Sequence, residues 1–148
     1  MKKQIFIILS LCCLLIPLVA APTSAQMLGT SIRVTIPFDF SVRGRTLPAG
    51  RYEIRRITEA PDGLVVFNED THQSIAFETE SAEKSKAPKR SEIVFHRYGD
   101  NYFLYEVWAP GENEGRELPT SKSERAMKRQ LTTALNKTEP QTVVLALN

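Results

Sequence analysis

The sequence predicts a mainly β domain: an antiparallel sandwich or partly open barrel of about seven strands, with one late amphipathic α-helix packed on it. Three observations carry this reading. Short apolar-alternating runs recur from Ile32 to Ala109 with turn residues between them. Residues 91–109, SEIVFHRYGDNYFLYEVWA, read as one long hairpin with apolar residues on both faces. A single stretch at helical spacing, TSKSERAMKRQLTTALN, follows Pro119.

Ahead of the domain, Lys2 and Lys3, an apolar run from Ile5 to Ala20 and small residues ending at Ala25 have the order of a secretory signal peptide. The apolar run falls short of the roughly 20 residues that span a bilayer, and Pro17 interrupts it. Residues 1–25 are therefore expected to be removed, residues 26–31 to form a linker and residues 32–148 to form one β-rich domain in the periplasm or outside the cell. Cys12 and Cys13 leave with the leader, so no disulfide, thiolate metal ligand or cysteine nucleophile is expected in the mature chain. Removing Lys2 and Lys3 from 19 basic residues balances the 17 acidic ones. A near-neutral exported chain gives no charge argument for a nucleic-acid partner.

The elements follow in order. IRVTIPFDF alternates from Ile32 to Phe40 as one half-buried strand, with Pro37 at an edge or beside a bulge because it cannot donate to a ladder. In VRGRTLPAGRYEI, Arg43 and Gly44 suit a tight hairpin turn, Arg45 to Leu47 pair back, and Pro48 to Gly50 form a second turn, with Gly50 expected left-handed. RYEIRRI, LVVFN after the turn set APDG, and SIAFETE read as strands, whereas SAEKSKAPKR (81–90) reads as an exposed loop. In the hairpin, a Gly99–Asp100 turn pairs Tyr98 with Asn101, Arg97 with Tyr102, Phe95 with Leu104 and Ile93 with Glu106. That register puts Trp108 on the face of Ile93, Phe95 and Leu104. Apolar residues on both faces require a cover on each side.

The helix is expected over about 122–135, with Ser121 and Glu124 as a capping box and Met127, Leu131, Ala134 and Leu135 on one stripe. It reads as a lid on the sheet, with an interaction element as the alternative. The β-branched run TVVLAL returns to the sheet as a final strand over about 141–147. A transmembrane barrel is disfavoured, because outer-membrane strands need about 9–11 residues with a continuous apolar band. Arg51, Glu53 and Arg55 instead share one strand face.

Chemistry-bearing residues are sparse. His96 could be drawn as a general base with Asp100 nearby, but a base needs a nucleophile, an orienting partner and a pocket. No GxSxG, HExxH or glycine-rich phosphate loop occurs. GENEGRE and NED offer hard oxygen ligands without the spacing of a calcium loop, so neither a metal nor a cofactor is expected. Binding residues, if any, are Arg97, Tyr102 and Trp108 on the hairpin and Arg43 and Arg45 at the corner. Lys84, Lys86, Lys89 and Arg90 make the 81–90 loop basic, and Lys122, Arg125 and Arg129 do the same for the helix. Asn136, Lys137 and Thr138 form a glycosylation triplet that has meaning only in a eukaryotic secretory pathway.

FDFSVRGRTLPAGRYEIRR (38–56) and FHRYGDNYFLYEVWAPGENEGRELPTSKSER (95–125) together resemble a family of small secreted bacterial proteins of unassigned function. Its members combine a "PFxF…LPAGxY" opening, a "FxRYGDxYFL" hairpin and a "GRELPxSxxE" helix start. The resemblance implies no activity, ligand or catalytic residue. The expectation from residues and resemblance together is a non-catalytic secreted or cell-envelope β module with a binding or structural role and no membrane span after leader removal. Its partner would be an anionic envelope polymer or another envelope protein. The rivals are a glycan or peptidoglycan binder using aromatics and arginines, and an enzyme centred on His96.

Overall fold

The alternation that begins at Ile32 does not run as one strand, because Pro37 cuts it in two. The computed structural model describes residues 31–57, 59–135 and 139–147. The expected leader, residues 26–30 of the expected linker and the 136–138 triplet lie outside the described residues. β1 (Ile32–Ile36) buries Ile32, Val34 and Ile36 and exposes the residues between. After Pro37 the chain crosses to a second sheet, where β2 (Phe40–Val42) turns into β3 (Arg45–Leu47).

Among the described residues eleven strands form two sheets that do not close into a barrel, where the sequence reading expected about seven. The first sheet has the order β1, β4 (Gly50–Ile57), β5 (Ala60–Asn68), β6 (Ser74–Glu78), all antiparallel. The second has the order β11 (Gln141–Ala146), β8 (Glu92–Tyr98), β9 (Asn101–Trp108), β10 (Glu114–Glu117), β7 (Glu80–Glu83). β2 joins its β9 in parallel through Phe40 and Tyr102, and β3 pairs only with β2. Val34, Tyr52, Ile54 and Val66 from the first sheet meet Phe40, Val42, Ile93, Phe95 and Leu104 from the second in one apolar core. The helix α1 (Lys122–Leu135) lies against β8.

The extra strands come from segments without apolar periodicity. ESAE of β7 and EGRE of β10 pair with each other from Glu83 and Glu114 to Glu80 and Glu117, so the first part of the expected 81–90 loop is a strand. APDG is not a turn either: Ala60 already pairs with Ile57, and the register shifts there.

The hairpin forms its Gly99–Asp100 turn and its first pairs as expected, but the register shifts between Val94 and Phe95. Val94 pairs with Glu106 and Ile93 with Val107, so Tyr105 is the extra residue of a bulge. One inserted residue exchanges the faces of everything beyond it. Val107 therefore joins the core, and Trp108 turns to the opposite face, where it is only 1% exposed.

At the corner, Arg43 (φ 52) and Gly44 (φ 86) make the two-residue turn, and Val42 pairs with Arg45. Gly50 corrects the expectation made for it, since it opens β4 without a positive φ. Its role is space: a Cβ there would stand 3.0 Å from Asp70 Oδ2. That carboxylate accepts the Arg51 backbone N–H at 3.0 Å and Arg51 Nη2 at 2.8 Å, contacts that hold the Asp70 carboxyl below its ordinary range. Gly44→Ala is expected to cost about 1 kcal/mol through its left-handed φ. Gly50→Ala should cost less, because the exposed Asp70 side chain can yield. Urea unfolding of the two variants checks the order.

Candidate functional site

Ser121 caps α1 by accepting the Glu124 N–H at 3.1 Å. The other half of the expected capping box is replaced. The Glu124 carboxylate turns to the sheet, where Oε1 lies 2.8 Å from His96 Nδ1 and accepts the Tyr98 hydroxyl at 3.4 Å. With the carboxylate as acceptor, Nδ1 carries the proton. The His96 ring stacks on Tyr105 with centroids 3.8 Å apart. Burial, then the Glu124 charge, pushes the Tyr98 hydroxyl up to about 12. Burial, then Glu117 and Glu106, does the same to Tyr105. Met127 and Leu131 are half-buried, and the side chains of Ala134 and Leu135 lie outside the described residues. His96 is therefore a packed, hydrogen-bonded ring beneath the helix. Asp100, its proposed partner, is fully exposed beside Arg97.

The other residues singled out from sequence do not converge. Arg97 donates to the Gly99 carbonyl at 2.7 Å and sits 5.4 Å over the Tyr102 ring. Tyr102 also stacks on Phe38 at 3.8 Å. Trp108 is enclosed: Gly115 lies against its ring and Nε1 donates to Glu106 at 2.8 Å. The bulge that turned it from the expected face gave it this cover, so it offers no sugar-stacking platform. Arg43 and Arg45 stand apart from these three, in a groove beside β6.

A built surface lies in the loop between β7 and β8. The Lys84 N–H donates to the Asn113 carbonyl (2.9 Å), the Gly111 N–H to the Pro88 carbonyl (2.8 Å) and the Leu147 N–H to the Ser91 carbonyl (3.0 Å). Lys84 Nζ bonds Glu92 Oε2 at 2.7 Å and sits 4.2 Å over the Trp108 ring. The backbone is thus tied down at both ends and the middle. Lys86, Lys89 and Arg90 are exposed and make no ion pair among the described residues. Lys89 and Arg90 border two concavities: one of about 400 Å³ with Lys84, Lys86 and Ala146, and one of about 490 Å³ with Arg33, Ser91 and Leu147. Arg33, Ala146 and Leu147 carry no local signal for this surface, because remote strands bring them to the loop.

Comparison with protein-family models, with curated proteins and with solved structures finds no match to this chain. Among the described residues no three His, Cys, Asp or Glu side chains are grouped to hold a metal ion. No helix among them is long and apolar enough to cross a membrane. The chemistry on offer at the loop is fixed positive charge: two lysines and an arginine that can pair with carboxylate, sulfate or phosphate oxygens.

Proposed function

We propose that the protein is an exported, non-catalytic cell-envelope module that holds an anionic envelope polymer on the β7–β8 loop. The carrying observation is the set of unpaired cations Lys86, Lys89 and Arg90 on a pinned loop between two concavities. A loop held by three backbone hydrogen bonds loses little entropy on binding. Its charges are free to pair, because Lys84 already neutralises Glu92. The order of the leader and the motif resemblance support export.

The kind of anion follows from what lines the concavities. Neither lining holds an aromatic ring, whereas single-stranded nucleic acids are held by base stacking. Charges that flank hollows suit a chain laid across them better than a flat bilayer. A carboxylate-bearing polysaccharide is therefore the ligand class. Calorimetry with polyuronate oligomers should show binding that weakens as salt rises. Lys89→Gln with Arg90→Gln should lower affinity roughly tenfold. Unchanged affinity in that variant, or no binding at low salt, would sink the proposal. Preferential binding to anionic vesicles would replace the polymer with a membrane.

A further inference from the structure

Two open strand edges face each other across a groove. β3 pairs only with β2, and β6 pairs only with β5, so the far edge of each has no ladder partner among the described residues. A hollow of about 550 Å³ lies between Arg45 to Leu47 on one side and Gln73 to Ile75 on the other. It continues into a second of about 430 Å³ that runs along Ser74 to Glu78 past Val42 and Arg43. The two share Arg45, Ser74 and Ile75. The groove thus follows the whole of β6.

From this we infer that the groove accepts an extended segment of another polypeptide as an added strand. The site is separate from the basic loop and does not depend on the polymer reading. Backbone N–H and C=O groups along an unpaired edge match only a ligand with the same repeat, which an extended peptide has. Isolated edges are usually blunted by proline, lysine or a bulge. SIAFE of β6 has none of these and carries a single charge, Glu78. Beneath the groove, Tyr52 and Val66 are buried, so an added strand would lie on apolar surface. β6 itself alternates, with Ile75 and Phe77 inward and Ser74, Ala76 and Glu78 outward, and a partner strand would have to alternate with it.

Charge narrows the partner. Arg43 and Arg45 are exposed on the β3 rim and make no ion pair among the described residues. Glu78 is the one opposing charge in the lining. The occupant is therefore an extended segment that alternates apolar with acidic residues, its apolar side chains toward the core and its carboxylates toward the arginines. Arg43 sits in the β2–β3 turn with a positive φ and lines the groove.

The probe is a capped seven-residue peptide alternating valine and glutamate, measured by fluorescence anisotropy and amide hydrogen exchange on the full mature chain. The expected result is binding that slows exchange at the β6 amides left unpaired by β5. A lysine-for-glutamate peptide should bind at least tenfold more weakly. N-methylation on the edge-facing nitrogens should abolish binding, since it removes donors without removing side chains. Arg45→Glu should reverse the preference between the two peptides. No binding, equal binding of both peptides, or binding that survives N-methylation overturns the inference. So does concentration-dependent dimerisation that protects the same amides without peptide, which would make a second copy the occupant.

Discussion

Gly115→Ala is expected to destabilise the protein by about 3 kcal/mol, although strand propensity alone would favour alanine by about 0.5–1 kcal/mol. A Cβ on Gly115 would stand 2.5 Å from Trp108 Cε3, 2.6 Å from Cδ2 and 2.8 Å from Cζ3. These are ring atoms of a side chain that is 1% exposed, so the ring has no free space to retreat into. Its Nε1–H is held by Glu106, and Lys84 lies over its face. β10 cannot back away either, since Gly115 is paired with Ala82 of β7 and Arg116 with Val107 of β9. Trp108 is the only tryptophan in the chain, so its fluorescence reports on this contact directly. The wild type should emit in the blue and resist quenchers, and the variant should unfold at lower urea. Trp108→Leu in the Gly115→Ala background should recover part of the loss, because the two residues share one space. Equal stability of Gly115→Ala and wild type would show that the ring does not lie on the bare strand.

That contact also marks where sequence reasoning ends. The start of β1, the turn-proximal hairpin and α1 were legible, because each carries its own period: Ile32, Val34 and Ile36 alternate, and Met127 and Leu131 repeat at helical spacing; β11 was legible through its β-branched run TVVLAL. β7 and β10 were not legible, since ESAE and EGRE have no apolar face and become strands only by pairing with each other. The bulge at Tyr105 has no local signature. It decides that Val107, not Trp108, enters the core. The corner VRGRTL announces its turn and short return strand, but the reason for Gly50 lies nineteen residues beyond its neighbour Arg51, at Asp70. For the two proposed binding surfaces, the charges of 84–90 and of Arg43 and Arg45 were visible as residues. The concavities beside them are not, because each is walled by strands remote in sequence.

Glu124→Ala is expected to cost about 2–3 kcal/mol, since it leaves the His96 Nδ1–H and the Tyr98 hydroxyl without their acceptor. It also removes an acidic side chain from the first turn of α1, worth about 0.3–1 kcal/mol against the helix dipole. The apolar stripe of α1 is only half-buried at Met127 and Leu131, so this polar contact is what docks the helix start onto β8. Loss of helical circular dichroism should accompany the loss of stability, and Glu124→Gln, which keeps an acceptor, should lose less of both. Tyr98 supplies a second readout. Its folded pKa, about 12, lies above the ordinary value of roughly 10. The native state therefore holds this proton more tightly than the unfolded chain does. The associated stability is complete below about pH 10 and is lost as pH rises from there toward 12. Without Glu124 the burial remains but the neighbouring charge does not, so Tyr98 should ionise at lower pH and the alkaline loss should span a narrower window. If Glu124→Ala leaves both the helix signal and the tyrosine titration unchanged, α1 is held to the sheet by something other than this carboxylate.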